Sequence, residues 1–369
     1  TRPNDPSNEK ATPMKKQRIL VLLPNWIGDA VMATPTLREL RKLCPEVKIT
    51  YGGLPFITDI FRSSPWADDL LPISKPKNSG LVKKIAELRH QVAAIASGSF
   101  DTVFLLRGSF SSASAAWLAS VPKRLGYARE GRGFLLTNSM PHPDSFRKRH
   151  RVRYFLDILP LVSEKAKELG EKATTQENPL EITVDSKAKS WADDFLFDKE
   201  VNGPLLCLHL GAAYGPSKRW PVSKILSTLK LLTRELHPFT ALVVGGNEER
   251  EAASQLKEEL GPLSINVIEA AGETPGILEL AALIERSEML LSNDSGPMHV
   301  GAALGKKQVA IFTSTNPNFT KPWNENATVL SAAIDCSPCF KRGCERDFPC
   351  HEAISPEEVK DAILNVLRD

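Results

Sequence analysis

The sequence predicts an α/β protein built from two doubly wound parallel-sheet domains that face each other across a cleft. Three observations lead there. The chain has 369 residues, more than the roughly 100–200 that one domain usually takes. Short apolar runs of the kind that form strands buried on both faces alternate with stretches of helical period. After the polar stretch 164–177 this alternation starts afresh at PLLCLHLG, residues 204–211. Repeated strand-helix alternation requires parallel strands covered by helices on both faces, and ligands in such folds sit at the carboxyl ends of the strands.

Taken in order, residues 1–17 contain three prolines and no apolar periodicity, and read as an unstructured leader. RILVLLP (18–24) reads as the first buried strand, and DAVMATPTLRELRKL (29–43) as the helix after it. VKITYGG (47–53), DDLLPIS (68–74) and DTVFLLRG (101–108) suit further strands, with helices at Leu54–Phe61, Leu81–Ala96 and Ala113–Leu118. A helix at Ser186–Phe197 leads into the second series. There FTALVVGG (239–246), SINVIEA (264–270), EMLLSN (288–293) and KQVAIFT (307–313) alternate with helices at Val222–Leu236, Glu248–Leu260, Gly276–Arg286 and Met298–Leu304. The end of the chain carries Ser355, Pro356 and Glu358 in the spacing of a capping box, which starts a terminal helix. We therefore divide the chain into a leader 1–17, an N-terminal domain 18–185, a C-terminal domain 186–354 holding a Cys-rich segment 336–351, and a terminal helix 355–369.

Composition excludes little but bounds the rest. A hydrophobic fraction of 42% with 25% charged residues is that of a globular protein with a substantial core. The apolar run Ile19–Leu23 is far shorter than the about 20 residues of a membrane span, and no secretory signal pattern is visible, so a cytoplasmic location is expected. A net charge of +3 does not argue for nucleic acid, and none is expected as a partner. The charge is unevenly spread: RKRHRVR (147–153) and the nearby Arg124, Arg129 and Arg132 make one region strongly basic. Such a run is either a solvated face or the footprint of an anionic partner.

Several loops carry residues that can do chemistry. Asp29, in PNWIGDAVMATP, follows a buried strand at the start of a helix; it is either a helix cap or a general base at the cleft. GAAYGPSKRWP offers the small residues Gly211, Ala212 and Ala213 for close backbone approach to phosphate, with Lys218 and Arg219 as counter-charge, though a plain strand-to-helix connection explains it equally well. In LVVGGNEER, Glu248 and Glu249 could accept hydrogen bonds from a ribose or could simply favour the dipole of the next helix. SNDSGPMHVGAALG places Asn293 and Asp294 at a strand end and Ser295 and Gly296 in a tight turn. His299 then falls in the first turn of a helix whose free N–H groups suit a diphosphate. Four of the six cysteines, Cys336, Cys339, Cys344 and Cys350, fall in CSPCFKRGCERDFPCH. A zinc or iron-sulfur site, reduced thiols and local disulfides are all open readings of them.

Together ILVLLPNWIGDAVMATP, RLGYAREGRGFLLT, GAAYGPSKRWP, SNDSGPMHVGAALG and the Cys-rich tail resemble the lipopolysaccharide heptosyltransferases of glycosyltransferase family nine, the heptosyltransferase II branch in particular. The resemblance runs from about residue 18 to the end. It implies the GT-B fold, with the donor bound by the second domain and the terminal helix crossing back to the first. It further implies a monomeric, metal-independent, cofactor-free inverting enzyme that moves heptose from ADP-L-glycero-D-manno-heptose to the inner core of lipopolysaccharide at the inner leaflet. In that scheme Asp29 is the catalytic base, and Lys218 with the amides of Ser295 and Gly296 receives the charge of the departing diphosphate. Gly211, Ala212, Ala213, Glu248, Asp294 and His299 complete the donor site, with Asp294 on the heptose and a Glu after Gly246 on the ribose. Asn25, Trp26, Arg107, Arg129 and Arg132 face the acceptor, the arginines meeting its phosphate or Kdo carboxylate groups. Members often carry hydroxyl or acidic residues where Ala212 and Ala213 stand, and many carry Asn where Arg107 stands. Two other classes remain in view on fold grounds: a nucleotide-sugar epimerase or other GT-B transferase with a different donor, and a non-catalytic sugar-nucleotide binder.

Overall fold

β1 (Arg18–Leu22) alternates between two cores, which is why a wholly apolar run forms an interior strand. Leu20 and Leu22 enter one cluster with Val103, Leu105 and Ala116, while Ile19 and Val21 enter the other with Ala30, Leu37 and Tyr51. Fully burying each such side chain contributes about 1.5–3 kcal/mol. The computed structural model describes residues 17–74, 80–143 and 148–368, residues 80–83 by their backbone only. Apart from Gln17 the leader lies outside the described residues, as does Arg147 of the basic run.

The first sheet adds β2 (Lys48–Gly53), β3 (Asp69–Pro72), β4 (Thr102–Leu105), β5 (Lys123–Ala128) and β6 (Asn138–Pro141) in the order β3-β2-β1-β4-β5-β6. The second contains β7 (Leu205–His209), β8 (Thr240–Val244), β9 (Asn266–Glu269), β10 (Met289–Asn293), β11 (Lys307–Phe312) and β12 (Ala327–Ser331) in the order β12-β11-β10-β7-β8-β9. Every described pairing is parallel. Both sheets thus share one doubly wound order, and the expected α/β class with two such units is what the structure has. In each unit the chain changes direction between its first and fourth strands, β1/β4 and β7/β10, where a crevice opens at the carboxyl edge.

The terminal helix departs from expectation. Helix Pro356–Arg368 starts as predicted, with the Ser355 amide donating to the Glu358 carboxylate (2.8 Å) and the Glu358 amide donating to the Ser355 hydroxyl (3.2 Å). It does not cross back to the first unit. Val359, Ile363 and Val366 bury against helix Val222–Leu232 and the β10–β12 part of the second sheet, because that is where an apolar groove lies within reach of a short connection. The units are tied together elsewhere. Arg62, held within the first unit by Asp185 (2.7 Å), reaches the buried carboxylate of Glu279 in the second (2.7 Å). His150 Nε2 bonds the Lys321 carbonyl (2.9 Å), and its ring lies on Trp323, whose indole N–H donates to the Asn178 carbonyl (3.0 Å).

Candidate active site

Where the two crevices meet, the first turns of two helices touch. Ile27–Met32 follows β1 and Gly296–Ala303 follows β10. A Cβ placed on Gly28 would lie 2.6 Å from Cδ2 of His299, and one on Gly296 would lie 3.0 Å from Cβ of Ile27. A side chain at Gly28 would therefore require the His299 ring to move, and one at Gly296 would press more mildly on Ile27. Asp29 sits in the first turn of its helix, but the N-cap is Trp26 and no side chain caps that end, so capping does not explain the aspartate. Its carboxylate instead faces Arg151 Nε at 3.3 Å. Arg151 in turn lies over the rings of Tyr154 (5.5 Å) and of Phe319 from the second unit (5.0 Å). The RKRHRVR run had marked Arg151 only as part of a charged stretch; nothing in the run singled out this one arginine as the partner of Asp29.

Opposite Asp29, the end of β10 and the loop after β7 build the second half. Lys218 Nζ pairs with Asp294 Oδ2 at 2.5 Å, and Asp294 also accepts from Thr315 (2.6 Å) and Thr320 (3.3 Å). Asp294 is buried under these partners. Its carboxylate is thus shared between the Lys218 ammonium and two threonine hydroxyls. The Tyr214 ring lies 5.0 Å from the ammonium. Asn293 ties the two strand ends: its Nδ2 donates to the Leu210 carbonyl (2.7 Å), and its Oδ1 accepts from the Trp220 amide (3.1 Å). Ser295 precedes the helix as N-cap in extended conformation. Its hydroxyl is shared with His209 Nδ1 (3.0 Å) and Ser292 (3.2 Å) and caps nothing, so no side chain caps the amides of the first turn.

His299 is buried between the halves, and its Nδ1 has no hydrogen-bond partner among the described residues. Burial pushes its pKa down to about 4, while the nearby carboxylates of Asp294 and Asp29 pull the other way and Lys218 adds to the depression. Asp29, Asp294 and Lys218 thus each lie within electrostatic reach of His299, and the imidazole is neutral at pH 7.

Other expected residues are placed differently. Ala212 is buried with its carbonyl accepting from Arg219 Nε (3.2 Å), and Ala213 is exposed. The space beside Gly211 is filled by Oε1 of Glu249, so Gly211 makes room for a carboxylate. Of the acidic pair, Glu248 turns to solvent and pairs with Arg219 (2.9 Å). Glu249 instead lies between the ends of β7 and β8, accepting from the Gly246 amide (2.7 Å), and burial pushes its pKa up. On the first unit, Asn25 keeps a buried Oδ1 with no partner among the described residues, and Trp26 is exposed. Arg107 is buried at the end of β4, donating from Nε to the Leu23 carbonyl (3.0 Å), and burial pushes its pKa down to about 10. Arg129 lies against Gly108 and pairs with Glu130 (3.1 Å). Arg132 does not face an acceptor: it is 1% exposed. Its guanidinium donates to the carbonyls of Tyr127 (2.9 Å) and Arg107 (2.6 Å), because the loop after β5 folds over it.

All six cysteines are unpaired. Among the described residues no three His, Cys, Asp or Glu side chains are arranged to hold a metal ion. Burial pushes the Cys350 thiol up, with Cys339, Cys344 and Cys336 close enough to add to the effect. What the Cys-rich segment visibly does is clamp the Lys218 loop. The Phe340 carbonyl accepts from Tyr214 (2.5 Å), the Lys341 carbonyl from the Ser217 hydroxyl (2.5 Å), and the Arg342 carbonyl from the Ser217 amide (3.2 Å).

Comparison with known proteins follows the same lines. The chain is 27% identical over 370 residues to lipopolysaccharide heptosyltransferase 2 of Salmonella typhimurium, covering 95% of this chain and 99% of the relative. It is 25% identical over 359 residues to lipooligosaccharide heptosyltransferase 2 of Campylobacter jejuni, with the same coverages of 95% and 99%. Its fold matches the structure of E. coli ADP-heptose LPS heptosyltransferase II with a TM-score of 0.76 at 24% identity, over 95% of this chain and 99% of that one. The model of glycosyltransferase family 9 (heptosyltransferase) matches residues 88–348, which takes in the Lys218 loop, the Asp294 turn and most of the Cys-rich segment. That match spans most of the chain, and the chain belongs to glycosyltransferase family 9, the heptosyltransferases.

Proposed function

We propose that this enzyme transfers a heptose from an ADP-linked donor to the inner core of a lipopolysaccharide by one inverting displacement, with Asp29 as the general base. The observation that carries the reading is that His299 lies within electrostatic reach both of Asp29 from the first unit and of the Lys218–Asp294 pair from the second, where the helix after β1 touches the helix after β10. The acceptor hydroxyl would attack the anomeric carbon and pass its proton to the Asp29 carboxylate. The bond to ADP would break on the opposite face. The growing diphosphate charge would fall to Lys218, held in place by Asp294, and to the first-turn amides after Ser295. The Arg151 ion pair would fix the Asp29 rotamer and limit its orientation to the acceptor side.

In this reading residues 18–185 receive the acceptor and residues 186–354 the donor. Glu249, better placed than Glu248, would take the ribose. Arg107, Arg129 and Arg151 supply the positive side that an anionic core would meet, and the lipid-anchored acceptor would bring the protein to the membrane surface. Relatives in this fold have been solved with ADP and with ADP-2-deoxy-2-fluoro heptose, which supports the choice of donor. The test is Asp29→Asn assayed with ADP-heptose and a deacylated inner-core acceptor. Transfer should fall by about 100-fold or more, while ADP still raises the thermal midpoint as in the wild type. Turnover above about a tenth of the wild-type rate removes Asp29 from the role of base.

A further inference from the structure

Three neighbouring strands of the first sheet, β1, β4 and β5, are each followed at the carboxyl edge by an exposed aromatic residue: Trp26, Phe110 and Phe134. Phe134 is 77% exposed, and its ring lies 6.2 Å from that of Phe110. Phe110 opens helix Phe110–Leu118, whose Trp117 and Leu118 are also exposed. Positions 110, 117 and 118 share one face of a helix, so this helix carries a second apolar face turned away from its core residues Ala113, Ala115 and Ala116. Helix Gly80–Ser97 packs alongside and adds exposed Ile85 with the exposed cations Lys84 and Arg89, and exposed Lys123 lies five residues beyond Leu118. Two acids lie in this region: Glu130, paired with Arg129, and Glu87, partly exposed between Lys84 and Arg89 on their helix.

We propose that this face is a membrane-docking surface, and that its occupant is an anionic lipid bilayer. An apolar helix face flanked by lysine and arginine is the pattern that settles at the headgroup boundary: aromatic rings enter the acyl border, and cations meet lipid phosphates. Large exposed apolar residues on one side of a soluble fold are otherwise costly to keep. The position fits the chemistry, because the row begins with Trp26, three residues before Asp29, so a docked protein holds the mouth of its acceptor crevice against the layer. No helix among the described residues is long and apolar enough to cross a membrane. The inference rests on the proposed lipid-anchored acceptor for its purpose, though the binding itself does not require that acceptor.

The experiment uses the full chain and co-sedimentation with vesicles of phosphatidylethanolamine and phosphatidylglycerol, against vesicles of phosphatidylcholine alone. The wild type should partition to the anionic vesicles, and added salt should weaken it. The double variant Phe110→Ser/Phe134→Ser should partition about tenfold less. Lys84→Glu/Arg89→Glu should lose the preference for anionic lipid. Both variants should keep the wild-type thermal midpoint and wild-type transfer to a water-soluble, deacylated acceptor, and lose transfer to acceptor embedded in vesicles. Absence of wild-type binding to anionic vesicles overturns the proposal, as does unchanged binding by the double variant. So does a face that turns out to be covered by a second copy, seen as a dimer in solution that the double variant dissociates. If the wild type binds vesicles but transfers heptose to neither acceptor, the docking surface stands and the functional reading is what fails.

Discussion

Arg132 shows how far a charged residue can be from the task its composition suggests. Two arginines of one basic region, Arg129 and Arg132, look equivalent as letters, yet one is half-exposed and the other is folded under a loop with carbonyls for partners. Arg132→Met would leave those carbonyls buried without a donor, at about 1–3 kcal/mol for the lost bonds. Denaturant unfolding should show that loss in the midpoint, while the KM for acceptor of the folded fraction stays near the wild-type value. A normal midpoint with a raised KM would return Arg132 to the acceptor site. The same blindness holds for the paired glutamates. Glu248 and Glu249 differ by one step on a tight turn, and that step decides which of them enters the gap beside Gly211 and which meets solvent. The placement of Asp29, Lys218, Asp294 and His299 near one crevice was legible because a doubly wound fold opens its crevice at the strand ends of a topological switch point. Arg151 was not, because its partner comes from a helix remote in sequence.

At the level of elements, nine of the twelve described strands were readable, the edge strands β3 and β9 among them, and β5, β6 and β12 were not. β1, β4, β7, β8, β10 and β11 are runs of apolar residues that declare burial on both faces. β5 reads KRLGYA and β6 reads NSMP, half polar and partly exposed, with no alternation to mark them; pairing with a neighbour makes them strands. The terminal helix was found but sent to the wrong partner, since an apolar stripe states that a helix must be covered and not by what. Contact between the helices after β1 and β10 gives the element scale its sharpest test. Gly28→Val would put branched carbon where His299 lies 2.6 Å away. The two first turns must then separate, and a displacement of roughly 1 Å between base and donor costs about 100-fold in rate. Transfer should fall by that order while far-UV circular dichroism stays that of the wild type, because the strain falls between the units. Full activity in Gly28→Val would mean that the two helix ends do not hold the reacting groups in register.

For the molecule as a whole, the repeat of one strand order in two sheets was foreshadowed by the restart of the pattern at PLLCLHLG, but the seam between the units had no signature, being made of single residues distant in sequence. Histidines are prominent in it. His150 joins the Lys321 carbonyl and Trp323 across the seam, and His299 fills the space against Gly28. Burial pushes the pKa of His150 down to about 3 and those of His299 and His209 to about 4, from the ordinary value near 6.5. A base whose pKa is depressed on folding leaves the unfolded chain holding more protons below pH 6.5. The stability contributed by each neutral imidazole is therefore complete above about pH 6.5 and is lost as pH falls from there towards about 4. By about pH 5 the loss is on the order of 2 kcal/mol for each buried histidine. Asp157 and Glu249, whose acids burial pushes up, run the other way and offset part of it. Thermal midpoints measured from about pH 7.5 down to about pH 5 should decline. His150→Asn, which keeps a donor for the Lys321 carbonyl and cannot titrate, should decline less steeply. Because two of these three histidines sit where the units touch, activity should fall before the sheets unfold as the pH is lowered. A midpoint that does not change over this range would show that the seam histidines are reached by protons in the folded protein.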